Sequence, residues 1–187
     1  MSNGVHNPSG IFLAAVGPLY LAAAPVASAI TAPNGIVQSL TETVVDFAAC
    51  RDVAADRTIP ALSLIYAVWS YAGSAAISVA GQAMSRSAGF DNDNPRKHRG
   101  SMEGFPLRLM SAHHSLLEIF PFFATAACLA QVLAPEDQQI RNLLGLHVML
   151  KLFVYYPSYV VGISPLRSLS HLLSTSAIIR VFWLLTK

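Results

Sequence analysis

The chain has 187 residues, enough for one domain, of which 53% are hydrophobic and 12% charged, against roughly 25% charged in soluble domains. A water-soluble fold of this size would lack polar surface, and a mean hydropathy of +0.49 points to an integral membrane protein. The net charge of +2 is spread as short clusters between long uncharged runs, the pattern of loops between spans, which excludes a nucleic-acid-binding face.

Five stretches are apolar enough to be spans, since about 20 helical residues cross the hydrocarbon core. They are residues 11–30, 58–84, 108–132, 140–163 and 168–187. The first carries Pro18 and Pro25, has no Lys or Arg before it, and ends in the small residues Val26-Ala27-Ser28-Ala29. It reads either as a retained span or re-entrant segment or as a cleaved signal peptide, and the missing basic region favours the first reading. Residues 31–57 are polar, with Glu42, Asp46, Arg51, Asp52, Asp56 and Arg57 interrupted by apolar groups, as in a short amphipathic interfacial helix. The chain thus divides into an N-terminal extension, 1–57, and an all-α membrane domain of four helices, 58–187.

The 58–84 span is rich in Gly, Ala and Ser, including Gly73, Ser74 and Gly81, residues that let helix backbones approach closely in lipid. Residues 85–107 form the main hydrophilic loop. With flanking Arg86 and Arg108 it carries five Lys/Arg, whereas the 133–139 connection carries none. By the positive-inside bias this loop is cytosolic, as is the 164–167 turn with Arg167, while 31–57 faces the lumen. Cys50 and Cys128 lie far apart, so no disulfide framework is expected, and Cys128 reads as a packing residue. The sequence contains no Cys/His cluster of metal-binding type and no glycine-rich phosphate loop.

Ionisable groups inside spans are the best pointers to function, because each is costly to insert into lipid unless something meets it. In 108–132, helical spacing aligns Arg108, Ser111, His114, Ser115 and Glu118 on one face, and His113 points away from Glu118. Glu118 requires a cation or a polar ligand. Pro121 frees the Leu117 carbonyl and bends the helix beside it. In 140–163, His147, Lys151, Tyr155 and Tyr159 recur every four residues and form a second stripe. Lys151 is suited to pair with Glu118 or an anion, and the tyrosines to donate to a thiolate, enolate or carboxylate or to form an interfacial belt. His147 reads as a helix–helix hydrogen bond. Arg180 reads as an interfacial anchor beside Trp183 and Lys187, which leaves Arg167 as the better ligand candidate.

The order Asp91-Asn92-Asp93-Asn94-Pro95-Arg96, then Arg108, His113, Glu118 and Pro121, then Tyr155, Tyr159 and Pro165-Leu166-Arg167-Ser168 resembles the MAPEG family, the membrane-associated proteins in eicosanoid and glutathione metabolism. The resemblance covers about residues 58–187. It implies a four-helix bundle forming a homotrimer in the endoplasmic reticulum or a related membrane, with glutathione between subunits near the cytosolic face and a lipophilic substrate arriving from the bilayer. It assigns Glu118 to the glutathione amine, Lys151 and Arg167 to its carboxylates, and Tyr155 or Tyr159 to its sulfur, with Arg108, Ser111 and Ser115 in the cofactor-facing set. Ser111 and Leu152 stand where the family commonly has arginine, and Ser115 where it has asparagine.

Three functions follow as expectations. The first is glutathione-dependent transfer, peroxide reduction or isomerisation of a lipophilic molecule. The second is a glutathione-independent isomerase, cyclase or dehydratase of a hydrophobic natural-product pathway, with His114 and Glu118 as acid and base. The third is a non-catalytic protein that binds a lipophilic ligand.

Overall fold

A computed structural model describes residues 13–14 and 16–187; residues 11, 12 and 15 of the 11–30 segment lie outside the described residues. The described residues form helices without a strand. The first apolar segment is two short helices, α1 (Gly17–Ala22) and α2 (Ala24–Ile30). Each carries its proline in the first turn, where the missing N–H has no intrahelical partner to lose, so Pro18 and Pro25 start helices. The amphipathic segment is α3 (Ile36–Ala49), which ends where Cys50 turns to φ 52°.

Four longer helices follow, each long and apolar enough to cross a membrane: α4 (Ala55–Met84), α5 (Gly104–Leu133), α6 (Gln138–Val161) and α7 (Ser164–Leu185). At 1.5 Å per residue the 30 residues of α5 extend about 45 Å, beyond the roughly 30 Å hydrocarbon core, so its ends reach the headgroups. The last span begins at Ser164, not at residue 168. Gly162, at φ 86°, ends α6 in the left-handed region that glycine occupies without strain, and Pro165 sits in the first turn of α7. Arg167 therefore lies on the last helix and not in the connecting turn.

Two wide π turns interrupt the spans, Trp69–Gly73 in α4 and Leu150–Tyr155 in α6. A π turn closes hydrogen bonds from i to i+5, so residues before and after it no longer share a face at four-residue spacing. This breaks the expected stripe along α6. His147 is fully buried between Tyr66, with ring centroids 5.4 Å apart, and Phe123, stacked at 5.2 Å. Its Nδ1 lies 2.9 Å from the Ser174 carbonyl, the helix–helix contact expected of it. Tyr155 and Tyr159 face elsewhere, into the groove described below.

Small residues set the close contacts, as they must where lipid tails are as apolar as the helix surfaces. A Cβ on Gly81 would come within 3.1 Å of the Leu109 side chain, joining α4 to α5, and one on Gly145 would collide with Thr41, joining α6 to α3. Cys128, expected in packing, is exposed on the outer surface of α5.

The N-terminal helices pack along α7. Arg180, expected as an interfacial anchor, instead donates from Nε to Ser28 Oγ at 2.8 Å. Gln139 Nε2 donates to Thr31 Oγ1 (2.6 Å) and to the Ser28 carbonyl (3.1 Å), and Asn142 Nδ2 donates to the Thr31 carbonyl (3.0 Å). A buried amide or guanidinium needs such partners, and here they come from a segment more than 100 positions away.

Candidate functional site

The second, third and fourth spans meet at an open groove of about 710 Å³. Helix α5 supplies Ser115 and Glu118, α6 supplies Tyr155 and Tyr159, α7 supplies Arg167 and His171, and the N-terminal segment supplies Leu13, Val16 and Tyr20. Ser115 and Glu118 are three apart on one helical turn, so both reach the same opening. Ser115 Oγ and Tyr155 Oη are 2.6 Å apart, tying α5 to α6 by one hydrogen bond. The Arg167 guanidinium lies over the Tyr159 ring, 4.7 Å from its centroid, a cation–π contact that leaves its N–H groups free for a ligand.

Charge in the groove is separated and uncompensated. Glu118 is exposed to the groove and Arg167 half-buried in it, and neither makes an ion pair among the described residues. Lys151 does not meet Glu118. It is completely buried, with Nζ 2.7 Å from His171 Nδ1 and 4.1 Å from the centroid of the Tyr155 ring. An ammonium has donors only, so His171 Nδ1 accepts from it and the remaining ring proton sits on Nε2. Lys151 thus stands behind the groove wall, and His171 is the member of the pair that lines the opening.

The other residues singled out in the sequence fall outside the lining. Arg108 donates from Nε to the Val160 carbonyl at 2.8 Å, fastening the start of α5 to the end of α6. Ser111 is half-buried and does not line the groove. His114 lies one turn before Glu118 with its ring 5.7 Å from that of His113, and His113 Nδ1 lies 2.9 Å from Ser74 Oγ on α4. No group of three or more His, Cys, Asp or Glu able to hold a metal occurs among the described residues.

Besides apolar lining residues, His171 and Tyr20 of the groove escaped the sequence reading. His171 is ionisable and sits inside a span, so the rule that selected Lys151 and Glu118 selects it as well. Tyr20 carries no such signal, because only packing brings the N-terminal segment to the groove.

The MAPEG family model matches residues 59–186, from α4 to the end of α7. The chain belongs to the MAPEG family. No curated protein matches it, and no solved structure does. With four membrane-length helices, this MAPEG chain is an integral membrane protein of the glutathione and eicosanoid metabolism type. Glutathione is the small molecule generally associated with MAPEG proteins, and the groove is lined by a carboxylate, a guanidinium and three tyrosines.

Proposed function

We propose that the groove binds glutathione and that the protein catalyses a glutathione-dependent transfer, peroxide reduction or isomerisation of a lipophilic substrate. One observation carries this reading: Glu118 and Arg167, opposite in charge and free of ion pairs among the described residues, line one cavity together with Tyr155 and Tyr159. Two unpaired charges at a membrane helix surface call for a ligand of complementary charge, and glutathione carries an ammonium and carboxylates.

In this reading Glu118 accepts from the ammonium and Arg167 holds a carboxylate through its planar fork of donors. Ser115 fixes the Tyr155 hydroxyl, so that hydroxyl is oriented before a ligand arrives. Tyr159, held under the guanidinium, brings a second phenol whose hydroxyl makes no hydrogen bond to a described residue. Donor hydroxyls and a nearby positive charge favour a thiolate over a thiol. Glutathione, when bound, supplies that sulfur nucleophile. His171, with its Nε2 proton, adds a further donor to the same opening.

The test is titration of glutathione into purified protein in lipid nanodiscs. Saturable binding at millimolar concentration or below is expected, weakened in Glu118→Gln and Arg167→Gln; no saturable binding in the wild type rejects the reading. One observation favours a second reading. Because Lys151 is engaged by His171, a single guanidinium remains in the groove for two carboxylates. A glutathione-independent isomerase, cyclase or dehydratase would need fewer cations, with Glu118 as base. Turnover that persists without any thiol and collapses in Glu118→Gln would establish that alternative.

A further inference from the structure

The N-terminal segment lies outside the stretch matched by the family model, 59–186, yet three of its described residues are built into the groove. Leu13, Val16 and Tyr20 line the same cavity as Glu118 and Arg167, and the Tyr20 ring stands edge-on to His171 with centroids 6.0 Å apart. The far end of the segment is fastened by the four hydrogen bonds from Gln139, Asn142 and Arg180 to Ser28 and Thr31. In a low-dielectric bundle, removing the segment would leave each of those donors without its partner. It is therefore a fixed wall running parallel to α7, with its start at the groove and its end at Arg180.

This wall is more apolar than the rest of the cavity. The carboxylate, the guanidinium and the Tyr155 and Tyr159 phenols come from the spans, with Leu169 and Leu172 of α7 beside them, whereas the N-terminal segment contributes only Leu13, Val16 and the Tyr20 ring. Glutathione is polar along its length and has no use for an apolar face. A volume of about 710 Å³ falls within the range of pockets that enclose a drug-sized ligand. Leu13 and Val16 are exposed on this segment, where a hydrophobic molecule can reach them.

We infer that Leu13, Val16 and Tyr20 form the binding wall for the alkyl chain of the lipophilic substrate, so that the N-terminal segment sets substrate selection while the four spans hold the polar co-substrate. This rests on the reading of the groove as a glutathione site. The alkyl chain lies against Leu13, Val16 and Tyr20 with its reactive head toward Tyr155, Tyr159 and His171.

The experiment compares binding of S-methylglutathione and S-octylglutathione to the full chain in nanodiscs, for wild type, Val16→Ser and Tyr20→Ser. A fully buried methylene is worth about fourfold in affinity, so partial burial of the octyl chain gives the wild type an octyl-over-methyl preference of about tenfold or more. Each variant reduces that ratio to about threefold or less. An unchanged ratio in both variants overturns the proposal. Val16 contacts none of the docking bonds, which keeps the test decisive if Tyr20→Ser loosens the segment.

Should neither conjugate nor glutathione bind, the glutathione reading falls by itself, and the wall is then tested with diazirine-bearing hexadecanoic acid. Arg51 is the first Lys or Arg in the chain, so trypsin releases the segment as one peptide. Label on that peptide that is displaced by excess hexadecanoic acid and diminished in Val16→Ser supports the wall. Label absent from it, or indifferent to the competitor, overturns it.

Discussion

Glu118 contributes little to holding the bundle together, because it is exposed and unpaired among the described residues. A hydrogen bond to a charged group contributes about 1.5–3 kcal/mol, so Glu118→Gln should weaken glutathione binding by about tenfold or more while leaving thermal stability nearly unchanged. Equal losses in both would assign Glu118 a structural role. Lys151 and His171 predict an asymmetry instead. Exchanging Lys151 for methionine removes a buried charge and fills its volume, which is close to neutral for stability. His171→Leu leaves the ammonium without its acceptor and destabilises by about 2 kcal/mol, and the double variant recovers most of that loss. Additive losses measured by denaturation would refute the pairing. Glu118 and Lys151 were legible in the sequence because charge in an apolar run stands out. The pairing of Lys151 with His171 was not, since that contact joins separate spans.

Hydropathy locates the four spans to within a few residues, because the bilayer imposes length and apolarity on each. It does not reveal the two π turns, which insert one residue into the hydrogen-bond ladder without changing composition. That single shift turns the expected stripe from His147 to Tyr159 into a buried histidine and two groove tyrosines. The contact of α3 with α6 is equally silent in the sequence. Gly145→Val should drive a side chain into Thr41 and destabilise by about 1–3 kcal/mol, and Thr41→Gly should relieve part of it, with a coupling of about 1 kcal/mol or more in a double-mutant cycle. Zero coupling would mean that α3 does not dock there. The loop between α4 and α5 is clasped through Asp91, which accepts from the Asn94 N–H at 2.9 Å and faces His98 Nε2 at 3.2 Å and Arg86 at 3.8 Å. The Asn94 N–H, then the His98 and Arg86 contacts, hold the Asp91 carboxyl below the usual carboxylate range. A lowered folded pKa stabilises above the unfolded value of about 3.9 and is lost as pH falls through the folded one. Protection of the amides across 85–103, measured relative to intrinsic exchange at each pH, should therefore fall on acidification below about pH 4. Asp91→Asn should show that low protection already at neutral pH.

At the scale of the whole molecule, the basic loop predicts an orientation. Arg86, Arg96, Lys97 and Arg99 lie in or beside the loop between α4 and α5, so the positive-inside bias predicts a cytosolic location for that end of the bundle. Arg167 and the groove share it, since α5 leaves the loop at Gly104 and α7 begins at Ser164. Cys50, exposed between α3 and α4, then lies on the opposite side of the membrane, and Cys128 is exposed on the apolar span α5. A thiol reacts as its thiolate, which water supports and hydrocarbon does not. In sealed vesicles, a membrane-impermeant maleimide should therefore label Cys50 only from the side opposite the basic loop. It should leave Cys128 unmodified from either side until detergent unfolds the protein. A cysteine introduced at Ser101, in the loop, should show the reverse sidedness to Cys50. Labelling of Cys50 and of the Ser101→Cys variant from the same side would break the four-span topology, and with it the assignment of the groove to the cytosolic end.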